Sequence, residues 1–221
     1  MDHYQEHDHL TIVSASHQFQ GMGRMGRSWY GSDQSLMCSI LLKEDFEDLN
    51  ISLLPLLMAQ SCHKVLSTYH QGIMIKWPND LMINDKKLAG ILVKAKMMDQ
   101  NILAIVLGLG ININQSIFDG ELKSIATSMS IETNKTYDIY QLMTDIFNQF
   151  NVDLKALLKH SDQLIDYVNQ YAYLKNQSVR FTYDNHLHIG IASHVNRDGK
   201  LMIHSDNTVY EIVSDEILKN S

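Results

Sequence analysis

Proline and cysteine are nearly missing from this 221-residue chain, at two of each. With so few prolines and only 11 glycines, a Pro/Gly-rich disordered or collagen-like chain is excluded. Cys38 and Cys62 stand in apolar surroundings without metal-type spacing, so no disulfide framework is expected and both thiols read as reduced, in a cytoplasmic protein. The longest apolar run, Ile102 to Ile111, is far below the roughly 20 residues that a spanning helix needs. Met1 to His9 is polar and acidic, unlike a signal peptide. Positive charge is also scarce: 18 Lys and Arg against 25 Asp and Glu leave a net charge of −7, which offers no general attraction to nucleic-acid phosphates. What is present is 45% hydrophobic residues, enough for a real core, in a length suited to one domain of about 150 residues plus a small appendage.

Patterning supplies the elements. Leu10 to Ser16 reads as a strand running into a glycine-rich loop, and Leu36 to Leu42 as a second strand. Between Asn50 and Tyr69 apolar residues recur three and four apart, with Ser52 placed to cap and Pro55 in the first turn, which predicts a core-facing helix. Three strand-like runs follow, Ile73 to Lys76, Leu88 to Ala95 and Ile102 to Ile111, separated by turns at Asp85 and Asp99-Gln100-Asn101. Helical spacing returns over Thr136 to Leu158 and Gln163 to Leu174. Beyond Asn176 short alternating runs and an Asp198-Gly199 turn predict a small β-module. The expectation is an α+β fold, a mixed sheet backed by helices over residues 1–175 and a small barrel over 176–221.

Four segments carry chemistry. Gly21-Met22-Gly23-Arg24-Met25-Gly26-Arg27 matches G-x-G-x-x-G, and Glu44 lies at roughly the distance of a ribose-binding carboxylate. No apolar helical face follows, however, so the loop cannot open a βαβ unit. Its two guanidinium forks suit carboxylate or phosphate oxygens, the plain alternative being a surface hairpin. Lys76-Trp77-Pro78-Asn79-Asp80 places a cation, an indole, an amide and a carboxylate at a strand end. Lys87-Leu88-Ala89-Gly90-Ile91-Leu92 sets a lysine before a buried strand, with Gly90 open to close approach. Gly108-Leu109-Gly110-Ile111-Asn112 is another glycine-opened strand end.

In this order the four segments resemble the catalytic domain of biotin protein ligases. That family is marked by Gly-Arg-Gly-Arg-x-Gly-Arg-x-Trp, Lys-Trp-Pro-Asn-Asp, Lys-Leu-x-Gly-Ile-Leu and Gly-x-Gly-x-Asn; here they stand at Gly21 to Trp29, Lys76 to Asp80, Lys87 to Leu92 and Gly108 to Asn112. Ala126-Thr127-Ser128 and the C-terminal β-module, SH3-like in the family, extend the likeness over nearly the whole chain. The resemblance implies a ligase of the short form, without a DNA-binding domain. It would join biotin to ATP as biotinyl-5′-AMP and pass biotin to a lysine of a carrier domain, such as that of acetyl-CoA carboxylase.

By resemblance the catalytic residues are Arg24, Arg27 and Lys87. Biotin is assigned to Gln18, Gly21, Met22, Gly23, Arg24, Lys87, Gly90, Gly108 and Gly110, and the nucleotide to Arg24, Arg27, Trp29, Lys76, Asn79 and Asn112. Asp80 is the candidate magnesium partner or an orienter of Lys76. No nucleic-acid or membrane partner is implied, and homodimer formation is open through exposed strand edges.

Three departures from the pattern stand out: the Ser-Thr-Asn segment that precedes the loop in relatives is not in this sequence, Met22 and Met25 replace arginines, and Lys94 stands where glutamate is common. They raise a second expectation, a truncated or degenerate homologue that binds ligand or partner without ligating. A lipoate ligase of the same superfamily is a third, disfavoured by Lys76 to Asp80 and the β-module. His3, His7, His9 and Glu6 read as a solvated terminus rather than a metal site.

Overall fold

The computed structural model describes residues 3–43, 49–99, 101–213 and 217–220. Glu44 lies outside the described residues, as does Gln100 of the expected turn. Six strands form the main sheet: β1 (Ile12–Ser14), β2 (Ser35–Leu42), β3 (Met74–Lys76), β4 (Asp80–Ile83), β5 (Lys86–Met98) and β6 (Asn101–Asn112), in the order β1-β2-β6-β5-β4-β3. The expected α+β fold with a helix-backed sheet and a C-terminal β-module is present. The main sheet is antiparallel throughout rather than mixed as expected, because its neighbouring strands are joined by hairpins or run back across the sheet, and parallel pairing among the described residues is confined to the isolated bridges Ile75 to Ala172 and Lys87 to Ala126.

Alternation along the long central strands decides what each face does. Leu36, Ile40 and Leu42 of β2 and Ile105, Leu107, Leu109 and Ile111 of β6 point into the core, against helix α1 (Leu54–Leu66) and helix α4 (Ile139–Leu157). The short helices α2 (Leu122–Ile125) and α3 (Met129–Thr133) lie between β6 and α4 in the chain. Asn50, rather than Ser52, provides the entry to α1: its side chain accepts from Ser52 N at 3.1 Å, in a 3-10 turn that leads into Pro55. Asp138 caps α4 by accepting from Tyr140 N and Gln141 N. Leu158, the last residue of the expected helical pattern, follows the helix end and is 40% exposed.

Helix α5 (Ser161–Gln170) stops short of Leu174, because the backbone of Tyr171 to Tyr173 turns away to pair with Ile75 on the outer edge of β3. That pairing covers one edge of the sheet. Strand β4 was not foreseen as an element: four residues between two turns give little alternation to detect.

The second sheet holds β7 (Ser178–Tyr183), β8 (His186–Val195), β9 (Leu201–Ser205), β10 (Thr208–Ile212) and β11 (Leu218–Lys219), in the order β10-β9-β8-β7-β11. Its inward residues Val179, Phe181, Ala192 and Ile203 join the same buried cluster as the main sheet. Trp77 fastens the two parts together by donating from Nε1 to Gly199 O at 2.9 Å, at the β8–β9 turn. No described helix is long and apolar enough to cross a membrane.

Candidate active site

The face of the main sheet away from α1 and α4 is the floor of a cavity of about 710 Å³. Met37 and Ser39 of β2, Val106, Gly108, Gly110 and Asn112 of β6, and Gly90, Leu92 and Lys94 of β5 line it. These are the alternate positions of the strands that build the core. All the residues expected from the sequence reach this cavity: Gln18, Gly21, Met22, Gly23, Arg24, Arg27 and Trp29 from the loop, Lys76, Asn79 and Asp80 beside β4, and Lys87, Gly90, Gly108, Gly110 and Asn112 from the floor.

The glycine-rich loop is a tight hairpin with no helix after it. Gly23 N donates to Arg27 O and Trp29 N to Gly21 O, while Met22 and Ser28 form a bridge. Its tip needs left-handed backbone at Met25 (φ 54°) and Gly26 (φ 74°). The hairpin brings Trp29 down onto the floor, where a Cβ atom at Gly110 would run into the indole and one at Gly90 would crowd the Lys87 side chain and the indole edge. These two glycines, expected to admit a ligand, here admit the chain's own tryptophan; Gly108 faces more open space. The indole Nε1 is buried and has no hydrogen-bond partner.

Around this centre the polar groups form a frame. Arg24 Nη1 donates to Asn79 Oδ1 at 3.0 Å, and Asn79 Nδ2 donates to Ile91 O at 2.7 Å, so an anion-binding guanidinium is held through a buried amide by β5 itself. Lys87 Nζ stands 2.7 Å from Asp80 Oδ1 in an ion pair and 5.8 Å from the Trp29 ring centre. Asp80 therefore faces Lys87 as its charge partner. Beside Lys87, Asn112 donates to Thr127 O at 3.0 Å, and Thr127 N donates to Lys87 O. That exchange ties Ala126-Thr127-Ser128 to the strand bearing the lysine. Asp85, at the hairpin tip before Lys87, accepts from Tyr173 Oη at 2.7 Å and Lys219 Nζ at 2.6 Å. The hydrogen bond from Lys219 holds its carboxyl below the usual range.

Cys38 also borders the cavity, but burial pushes its thiol up to about 12, so it stays protonated and is no nucleophile. Among the described residues no three His, Cys, Asp or Glu side chains converge on a metal. Sequence motifs missed the apolar part of the wall. Val106 was within reach, since it alternates with core positions, whereas Phe118 arrives from an irregular segment and Leu122 and Ile125 from the four-residue helix α2, too short to give a periodic signal.

Residues 2–112 match the model of the biotin/lipoate A/B protein ligase family. The bifunctional ligase/repressor BirA of Bacillus subtilis (strain 168) is 30% identical over 213 residues, which are 94% of this chain and 65% of that protein. The biotin--[acetyl-CoA-carboxylase] ligase of Paracoccus denitrificans is 29% identical over 132 residues, 57% of this chain and 55% of its own length. The chain thus spans about 65% of the length of the BirA relatives. Among solved structures, biotin protein ligase from Aquifex aeolicus in complex with biotin and ATP superposes with a TM-score of 0.87 at 24% identity, covering 97% of this chain and 91% of that one.

Proposed function

The chain belongs to the biotin/lipoate A/B protein ligase family, and from that premise we propose that it activates biotin with ATP and transfers it to a lysine of a biotin carboxyl carrier domain. The observation that carries the reading is the convergence of Arg24 and Lys87, each held by a buried or half-buried partner, on one cavity large enough for an acyl-adenylate. In the first step a carboxylate oxygen of biotin attacks the α-phosphorus, the bond to the β-phosphate oxygen breaks, and pyrophosphate leaves. Two anions must meet, and negative charge grows on the phosphoryl oxygens. Arg24, Arg27 and Lys87 supply the fixed positive field for that charge. In the second step a neutral lysine amine attacks the acyl carbon, the carbon–oxygen bond to AMP breaks, and the amine releases its proton.

Asn79 sets the plane of Arg24, and Asp80 sets the position of Lys87. Asn112 and Lys76 are placed to serve the nucleotide, and the Trp29 indole offers a flat apolar wall beside Lys87. Gln18 and the Gly21 to Gly23 backbone line the part of the cavity assigned to biotin. Magnesium fits as the counter-ion brought in with the triphosphate, since Mg²⁺ is commonly held by one or two carboxylates plus substrate phosphates. Asp80 is already paired with Lys87 and Asp85 with Lys219, so the cavity's own carboxylates build no separate cage. Residues 1–175 are read as the catalytic unit and 176–221 as an accessory β-module packed on it.

The test is intact-mass analysis of a carrier domain incubated with this protein, biotin and MgATP, with Arg24→Ala in parallel. A biotin-sized mass gain that needs ATP and is lost in the variant is expected. No gain from folded protein at high biotin would overturn the reading in favour of a homologue that binds without ligating.

A further inference from the structure

The cavity carries cations at both ends of an apolar floor. At one end Arg24 is bound to Asn79, and Lys87 to Asp80. At the other stands Lys94, on the same face of β5 as Gly90 and Leu92. At about 3.3 Å per residue, Lys94 lies roughly 13 Å along the strand from Gly90, the residue against which Lys87 and Trp29 pack. Leu92, Val106 and Gly108 fill the interval without a charge.

Lys94 differs from the others in what it holds. The ion pairs among the described residues all use other cations. Its hydrogen-bond partner there is a thioether, with Nζ 3.6 Å from Met22 Sδ. Thioether sulfur is a weak acceptor, so the ammonium keeps nearly all its capacity to donate to an oxygen. Met22, 63% exposed on the hairpin, leaves that capacity unspent at the rim of the cavity.

We propose that Lys94 is a substrate-binding residue, donating from Nζ to the urea carbonyl oxygen at the head of biotin, while the carboxylate lies toward Arg24 and Lys87. The inference rests on the biotin reading above. An anion, an aliphatic stretch and a strong neutral acceptor, in that order along one ligand, match a cation pair, an apolar floor and a lone cation in that order along β5. The bond would be charge-assisted and stronger than one between neutral groups. It would also act as a filter, since a head group bearing positive charge meets a like charge.

Calorimetric titration of wild type, Lys94→Met and Lys94→Arg tests this with three ligands: biotin, 2-iminobiotin, whose head is protonated at neutral pH, and biotinol, which lacks the carboxylate. Lys94→Met is expected to weaken biotin about tenfold, Lys94→Arg much less, and the gap between biotin and protonated 2-iminobiotin should narrow in Lys94→Met. The loss from biotin to biotinol should be equal in wild type and Lys94→Met, because the carboxylate is held at the opposite end. Unchanged biotin affinity in Lys94→Met, or an effect that disappears with biotinol, would overturn the assignment. A folded wild-type protein that binds none of the ligands would instead overturn the biotin reading itself.

Discussion

The two faces of the main sheet are built from neighbouring residues of the same strands, yet they treat polar groups in opposite ways. On the helix side, buried polar atoms are spent. Ser61 donates to Asp153 at 2.7 Å, Lys64 and Gln149 bind the same carboxylate, and His63 is bonded at both ring nitrogens. On the cavity side one is left over: the buried Trp29 Nε1 has no hydrogen-bond partner among the described residues. Because most buried polar atoms in folded proteins find a partner, an unspent donor beside a cavity is one that a ligand there can satisfy.

If that division holds, variants on the two faces should fail differently. The largest effect is expected from Phe150→Ala in α4, whose ring is fully buried: loss of about 3–5 kcal/mol, seen as a fall in Tm on the order of 10 °C, with biotin affinity of the folded fraction kept. Lys87→Ala should do the reverse. Its ammonium is partly exposed, so the melting point should move by a few degrees at most, while adenylate formation falls on the order of 10²-fold or more. Measuring pyrophosphate release and Tm on both proteins decides the matter; a Lys87→Ala protein that melts like Phe150→Ala would erase the contrast.

The helix side was the more legible in the sequence. Three-and-four spacing marks Leu54, Leu57, Met58 and Cys62, and all four are buried. The cavity side was legible only where short motifs name it, as at Arg24, Asn79 and Lys87. Positions such as Phe118 and Leu122 are ordinary apolar residues, and only the three-dimensional path of the chain makes them a wall. Glycine was read correctly as a place of close approach, but sequence does not say what approaches: at Gly110 it is Trp29.

That contact supplies a third and smaller test. A methyl group at Gly110 overlaps the indole, so Gly110→Ala must displace Trp29 or shift β6, at a cost of about 1–3 kcal/mol. The expected signs are an altered tryptophan emission and weaker nucleotide binding. Emission and affinity both equal to wild type would show that the indole does not depend on the bare floor.

The smallest effect concerns pH and the helix side. His63 in α1 must donate from Nε2 to Ile73 O at 3.0 Å, because a carbonyl only accepts; Nδ1 of the neutral ring then accepts from Tyr167 Oη at 2.8 Å. Burial lowers its pKa below the usual value near 6.5, against the partial support of the Ile73 bond. The unfolded chain therefore binds this proton more readily than the folded one, so stability falls as pH drops through about 6.5 and levels off once pH is below the folded value. Tm followed from pH 8 to 5.5 should decline more steeply for wild type than for His63→Gln, which is weaker at neutral pH but has no ring to titrate. Parallel curves would mean that the ring's protonation does not bear on folding.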